Sequence, residues 1–319
     1  MSIPIVVIPG DDPPQIVGSS HLDRLRQLSR VVLYQDRPKD EAELIQRTSK
    51  ATAVINSRGQ VKWPGHVLRE LPQLKMITAC GIGTDSIDLE AARKLGIVVC
   101  NVPERTARFV AEHAFAMMCA ISRRTAWMTS QLKQGRWPHE LSVSLSGKTL
   151  GVIGTGNIGC EMIRLARSID MDVLAWSFHP SEEKARRYGF QYASFDEVLG
   201  TSDVISLHVK LTEESRHLIG ERELNLMKPT AILVNTSRGP VVETNGLVEA
   251  LNDNRIFGAA LDVFDVEPIP KNHPLLACEN VVLTPHSADQ TPEGIDLLNE
   301  GCVDNVLGFL SGRTQNVVV

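Results

Sequence analysis

The chain has 319 residues, 43% of them apolar and 22% charged, with 33 Lys and Arg against 38 Asp and Glu. That length admits two domains, and a net charge of −5 excludes the basic footprint expected of a nucleic-acid-binding protein. The start, Met1 to Ile8, has no basic n-region or cleavage site and no apolar run is long enough to span a bilayer, so a cytoplasmic protein is expected.

Apolar runs of strand length alternate with helically spaced segments along the chain. Strands are predicted at Pro4–Ile8, Arg30–Leu33, Ala53–Ile55, Leu74–Thr78 and Val98–Val99. Helices are predicted between them at Ser20–Leu28, Asp40–Ser49, Pro64–Leu71 and Leu89–Leu95. A βαβ series of this kind implies a parallel sheet covered on both faces. A long helical stretch follows, Thr106 to Trp137, opened by a threonine of the type that caps helices. The alternation restarts at Thr149, with strands predicted at Val173–Trp176, Val204–Leu207, Ala231–Asn235, Ala259–Val263 and Val281–Leu283. A last helical pattern, Pro292–Gly312, is expected to cross back onto the first domain. The expected division is therefore residues 1–100 with 287–319, and residues 101–286. The six cysteines are scattered without a Cys-x-x-Cys, and the nine histidines show no zinc-ligand spacing. Reduced, buried cysteines and no metal are expected.

The segment Gly151 to Gly159 carries the first chemistry. It reads Gly-x-Gly-x-x-Gly over Gly154, Thr155, Gly156, Asn157, Ile158 and Gly159, after a short apolar strand and before a helical pattern running to Ile169. In a dinucleotide-binding turn the first glycine permits the tight turn, the second lets the backbone approach the phosphates, and the third packs helix on strand. The free N–H groups and dipole of the helix then face the anion.

The loops after the late strands hold the other candidates: Arg238 in Asn-Thr-Ser-Arg-Gly-Pro, Glu267 in Asp-Val-Phe-Asp-Val-Glu-Pro, and His286 in Thr-Pro-His-Ser-Ala. Ligands of a doubly wound sheet sit outside the carboxyl ends of its strands, so fold logic would bring these three residues together. Taken singly, each has a plainer role as a solvated loop charge, an element-ending glutamate or a satisfied histidine.

Over essentially its full length the chain resembles the D-isomer-specific 2-hydroxyacid dehydrogenases, glyoxylate/hydroxypyruvate reductases among them. The resemblance rests on Leu150–Gly159, Met227–Val242, Gly258–Pro268 and Val282–His286. It implies two doubly wound α/β domains, Rossmann-like and flavodoxin-like, with parallel sheets, the first domain completed by the C-terminal helix. It implies an NAD(P)-dependent oxidoreductase in which Arg238, Glu267 and His286 are the catalytic trio. Chemically, His286 suits proton transfer, Glu267 would orient and charge-stabilise it, and Arg238 would grip the substrate carboxylate and developing oxyanion.

The resemblance also assigns cofactor contacts to Thr106, His208, Thr236 and Asp262, the last at the nicotinamide carboxamide. It assigns carboxylate contacts to the Ile82–Gly83 loop of the first domain, with hinges near Cys100–Pro103 and Ser287–Thr291. At the end of the second Rossmann strand, where NAD-specific members place an acid for the ribose hydroxyls, this chain has Ser177, followed by His179. Without a carboxylate nothing repels a 2′-phosphate, and the reading leans to NADP over NAD. Phosphoglycerate-oxidising members typically carry Arg where this chain has Ala79, so the expected substrate is a small 2-keto acid such as glyoxylate, hydroxypyruvate or pyruvate. Alternatives are a dehydrogenase of another small anion such as phosphite, or a dinucleotide-sensing, corepressor-like protein. The family's dimerisation suggests a homodimer, and the apolar Val110–Ile121 stretch would suit its interface, a buried helix within the monomer being the alternative.

Overall fold

The computed structural model describes residues 3–59 and 61–319. Met1, Ser2 and Gln60, which the expected first domain includes, lie outside the described residues. The chain divides into two compact units, Met1–Thr106 with Gln290–Val319, and Ala107–Asp289. The first unit begins with β1 (Ile5–Ile8), α1 (His21–Arg26), β2 (Arg30–Leu33), α2 (Glu41–Thr48), β3 (Ala53–Asn56), α3 (Gly65–Arg69), β4 (Met76–Ala79), α4 (Leu89–Leu95) and β5 (Val98–Cys100). The second opens with α5 (Ala107–Ser122), α6 (Thr125–Lys133), β6 (Thr149–Ile153), α7 (Asn157–Arg167), β7 (Asp172–Trp176), α8 (Glu182–Tyr188) and β8 (Gln191–Tyr192). It continues with α9 (Phe195–Thr201), β9 (Val204–Leu207), α10 (Glu221–Leu226), β10 (Ile232–Asn235), α11 (Thr244–Asn252), β11 (Gly258–Leu261) and β12 (Val281–Leu283). The last helix, α12 (Pro292–Leu310), belongs to the first unit.

In the first unit the strands pair in parallel in the order β2-β1-β3-β4-β5. Every residue of β3 and β4 is buried, as a sheet covered on both faces requires. Successive side chains point to opposite faces, which sorts the core into two layers. Val7, Val54 and Ile77 pack with Leu44, Leu68 and Ala92, whereas Val6, Ile8, Ile55 and Met76 pack with Leu22, Leu25, Leu298, Cys302 and Val306. The C-terminal helix α12 thus covers one face of this sheet and completes the unit. Its start follows from local chemistry: Thr291 Oγ1 accepts Gly294 N–H at 3.0 Å, with Pro292 at the first helical position.

The second sheet is also wholly parallel, in the order β12-β11-β10-β9-β6-β7-β8. From β6 the chain builds outward one way through β7 and β8, then returns to β9 on the other side and continues to β12. The topological switch point lies between β6 and β9, where such sheets bind their ligands.

One expectation is corrected here. The stretch from Thr106 to Trp137 is not one helix, because Arg124 adopts a left-handed conformation (φ 51°) and separates α5 from α6. The Val110–Ile121 stretch fits the alternative of a buried helix: Val110, Ala111, Ala114, Met117, Met118 and Ile121 are buried, most of them in the layer that α7 shares. Exposed apolar side chains occur further on, at Leu132, Trp137 and Leu141. Among the described residues, no helix is long and apolar enough to cross a membrane.

Candidate active site

The glycine loop joins β6 to α7 at the switch point. Gly154 has φ +102°, and a Cβ there would lie 2.5 Å from the His208 carbonyl oxygen at the end of β9. A Cβ on Gly159 would lie 2.0 Å from the Gly154 carbonyl oxygen, so helix and loop close on each other only with glycine at both places. Gly156 caps α7, and a Cβ on it would meet no atom within 4 Å. No neighbouring protein atom demands glycine there, whereas a side chain would fill the space over the unpaired N–H groups that begin any helix. Thr155 is buried and Ile158 half-buried, while Asn157 is exposed at the mouth of the loop. The loop is braced from outside: Thr155 Oγ1 is 2.7 Å from Tyr192 Oη, and Lys184 Nζ donates to the Thr155 carbonyl at 3.0 Å.

Two features fit a dinucleotide at this place. The first is the cradle at Gly156. The second is Thr236, buried after β10, whose Oγ1 has no hydrogen-bond partner among the described residues. A buried hydroxyl of this kind is normally satisfied. His208 bonds Ser206 Oγ through Nε2 at 2.8 Å, and burial pushes its pKa down to about 4, so it is neutral near pH 7. At the end of β7, Ser177 Oγ accepts the His179 N–H at 3.2 Å.

Arg238, Glu267 and His286 stand on successive loops beyond β10, β11 and β12, and the structure brings them together. His286 Nδ1 lies 2.7 Å from Glu267 Oε2, while Glu267 Oε1 accepts the Phe264 N–H at 2.9 Å. The bond to Glu267 raises the His286 pKa above its ordinary value; burial opposes this, the Glu267 charge adds to it, and Arg238 works against it. Burial works to raise the Glu267 carboxyl, but His286, Phe264 N–H and Arg238 together hold it below its ordinary value. The pair is therefore carboxylate and imidazolium over a widened pH range, with Nε2 of His286 left for a reacting group. Arg238 acts on both partners, which places its guanidinium in the same cluster.

The loop of Arg238 is shaped by two residues that motif reading passes over. Asn235, 1% exposed, donates from Nδ2 to the Arg238 carbonyl at 2.9 Å and accepts from Ser237 N and Oγ at 3.0 and 2.7 Å. Gly239 lies so close to the next loop that a Cβ would sit 1.9 Å from Phe264 C. The Glu267 loop has its own brace, since His273 Nε2 is 3.0 Å from Asp265 Oδ1. The only sequence signals for Asn235 and Gly239 are their places beside Arg238.

Asp262, the expected nicotinamide contact, directly follows β11. Its side chain is fully buried, and both carboxylate oxygens accept bonds from the chain itself: Thr284 Oγ1 at 2.5 Å, Ser287 N at 2.9 Å and Ala288 N at 3.0 Å. Burial works to raise this carboxyl, and bonds from His113, Thr284 and Ser287 outweigh it, holding the group ionised.

The remaining candidates lie in the first unit. The Ile82 carbonyl accepts Asn101 Nδ2 at 2.8 Å, and Gly81 beside it has φ +150°. Gly83 continues this loop after β4, and Thr106 is buried directly before α5. Among the described residues, no cluster of His, Cys, Asp and Glu is suited to hold a metal ion.

Comparison with known proteins agrees with this fold. Residues 115–288 match the profile of the D-isomer specific 2-hydroxyacid dehydrogenase, NAD binding domain family. A glyoxylate reductase of Aeropyrum pernix is 40% identical over 256 residues, covering 77% of this chain and 76% of the relative. The D-lactate dehydrogenase of Aquifex aeolicus, solved with NAD and lactic acid, superposes with a TM-score of 0.87 at 32% identity over 99% of both chains. An NADPH-dependent glyoxylate/hydroxypyruvate reductase of Sinorhizobium meliloti, solved with NADP and malonate, gives 0.87 at 28% identity over 100% of this chain and 97% of that one. This chain belongs to the D-isomer specific 2-hydroxyacid dehydrogenase family.

Proposed function

We propose that the protein reduces small 2-keto acids to D-2-hydroxy acids, and oxidises them in reverse, with NADH or NADPH. The observation that carries this reading is the His286–Glu267 pair under the influence of Arg238, on the carboxyl-end loops of the sheet that bears the glycine turn. The pyrophosphate is held by the N–H groups at the start of α7 over Gly156. When bound, the nicotinamide supplies the hydride to C2. Arg238 grips the carboxylate and stabilises negative charge growing on the carbonyl oxygen. His286 Nε2 delivers a proton to that oxygen, and Glu267 holds the imidazolium oriented and charged until it does. Ile82 and Gly83 are retained as proposed carboxylate contacts, and Thr106, His208, Thr236 and Asp262 as cofactor contacts. Relatives that reduce glyoxylate favour this reading over a phosphite-type substrate or a sensing role.

The lean to NADP rests on Ser177, which leaves no carboxylate at the place where NAD-specific sites carry an acid. Introducing a carboxylate by Ser177→Asp should lower preference for NADPH over NADH by about tenfold or more, roughly 1.4 kcal/mol of like-charge repulsion. Steady-state kinetics with both cofactors measures the ratio; an unchanged ratio would place the 2′-end of the cofactor elsewhere. A homodimer is proposed through the exposed Leu132–Leu141 segment in place of α5. The six free cysteines support a reducing, cytoplasmic setting.

The test is to offer NADH and NADPH separately with glyoxylate, hydroxypyruvate and pyruvate, following loss of reduced-nicotinamide absorbance. Oxidation of either cofactor with at least one keto acid is expected. Dinucleotide binding without turnover of any of them would overturn the reading.

A further inference from the structure

The backbone that aims His286 is unusual. His286 has φ +51°, a conformation that a bulky residue keeps only when its surroundings over-determine it. Those surroundings converge on Asp262. Its carbonyl accepts the His286 N–H at 2.7 Å, and its carboxylate accepts the next two amides, Ser287 N on Oδ1 and Ala288 N on Oδ2. One buried carboxylate therefore fastens the peptide on the far side of His286 while its own backbone fastens the near side.

The outer end of this arrangement is a side chain that the catalytic reading does not use. His113, on α5, presents Nε2 at 2.9 Å from Thr284 Oγ1 and 3.5 Å from Asp262 Oδ1. The Thr284 hydroxyl has one proton to give. Its contact with Asp262 Oδ1 is 2.5 Å, against 3.5 Å to the weakly accepting Met117 Sδ, so the carboxylate takes that proton. Thr284 must then accept from His113, which makes Nε2 the protonated nitrogen of that ring. The chain of donors runs from His113 to Thr284 to Asp262, in one direction only.

We propose that His113 is a positioning residue for His286: its Nε2–H orients the Thr284 hydroxyl and, through it, the Asp262 carboxylate that holds the His286 loop. The proposal rests on the reading of His286 as proton donor and adds a residue with no place in the sequence motifs. Without His113, the Thr284 oxygen loses the donor that fixes its place and Asp262 loses the nearby Nε2–H, in a buried site. The loop is then free to drift from its left-handed turn. A misplacement of about 1 Å costs up to roughly 10²-fold in rate.

The experiment compares His113→Ala and His113→Gln in the full-length protein, measuring kcat, KM for the keto acid, dinucleotide affinity by calorimetry and the melting midpoint. The alanine variant is expected to lose about tenfold or more in kcat, with dinucleotide affinity retained. The glutamine variant, whose amide N–H reaches a similar place, is expected to recover most of that loss. Wild-type kcat in His113→Ala overturns the proposal. So does an equal loss in both variants that follows a lowered melting midpoint, since that pattern reports packing alone. His286→Ala in the same assays separates the two levels. If it leaves turnover intact, the underlying reading fails; if it abolishes turnover while His113→Ala does nothing, only the present proposal fails.

Discussion

Replacing His286 with alanine should lower keto-acid turnover by about 10²–10⁴-fold, the usual contribution of a positioned general acid, while dinucleotide affinity stays near that of the wild type. The two effects separate because the residues sit on different parts of the second unit. His286 follows β12 at one end of the strand order, whereas the glycine loop follows β6. What the substitution removes is a proton donor whose pKa is raised by a 2.7 Å bond to Glu267, and alanine leaves the fold of the loop to Asp262. Steady-state kinetics beside calorimetric titration of NADH and NADPH decides the matter. Equal losses in turnover and binding would mean that His286 maintains the site's shape and transfers no proton.

A second large effect is expected from a residue that touches no reactant. Gly239→Ala would place a Cβ 1.9 Å from Phe264 C, 2.1 Å from Phe264 O and 2.4 Å from Asp265 N. These are backbone atoms and cannot turn aside as a flexible side chain would. One of the two loops must move, and they carry Arg238 and Glu267. The overpacking should cost about 1–3 kcal/mol of stability, read as a lower melting midpoint. Displacement of either charged group should lower kcat/KM by about 10²-fold. Wild-type kinetics in Gly239→Ala would show that the loops tolerate separation and that their close approach is incidental to the reaction.

The parts of the molecule that could be read from the sequence are those determined by neighbours in the chain. Alternation of apolar runs located nearly all the strands, because the inner ones, β3, β4, β9, β10 and β11, are buried on both faces and so nearly uniformly apolar. The Gly154–Gly159 loop was legible because its strand, turn and helix are contiguous. Its interior explains two of the glycines through clashes at His208 and Gly154, and only Gly156 through a ligand. Arg238, Glu267 and His286 were legible as motifs, but their meeting depends on the order of β10, β11 and β12, which no local pattern states. The break between α5 and α6 rests on the single left-handed residue Arg124, in a segment of otherwise helical spacing. The short β8, two residues long, lacks the length to show a period. Gly239 and His113 escaped because their partners are backbone atoms and a hydroxyl on other loops, and Asn235 because its bonds to Ser237 and Arg238 shape a loop that has no period. In His113 the relevant distance in sequence is 171 residues. Asp262 was legible only through the resemblance, and its bonds to Thr284, Ser287 and Ala288 come from residues more than twenty positions away.

The most direct test of the central claim, that Glu267 keeps His286 protonated for the reductive half of the reaction, is the pH dependence of kcat/KM in wild type and Glu267→Gln. In the wild type the His286 pKa is raised, so the imidazolium persists above pH 6.5, the ordinary value for histidine. Reduction should hold its rate through that region and fall only as pH rises through the elevated pKa. Glutamine keeps a hydrogen-bond acceptor for Nδ1 but removes the charge and the strongest cause of the shift, leaving burial and Arg238 to lower the pKa. The account predicts that the fall in reductive rate then moves to lower pH. A falling limb at the same pH in both proteins, or none in the wild type, would contradict it.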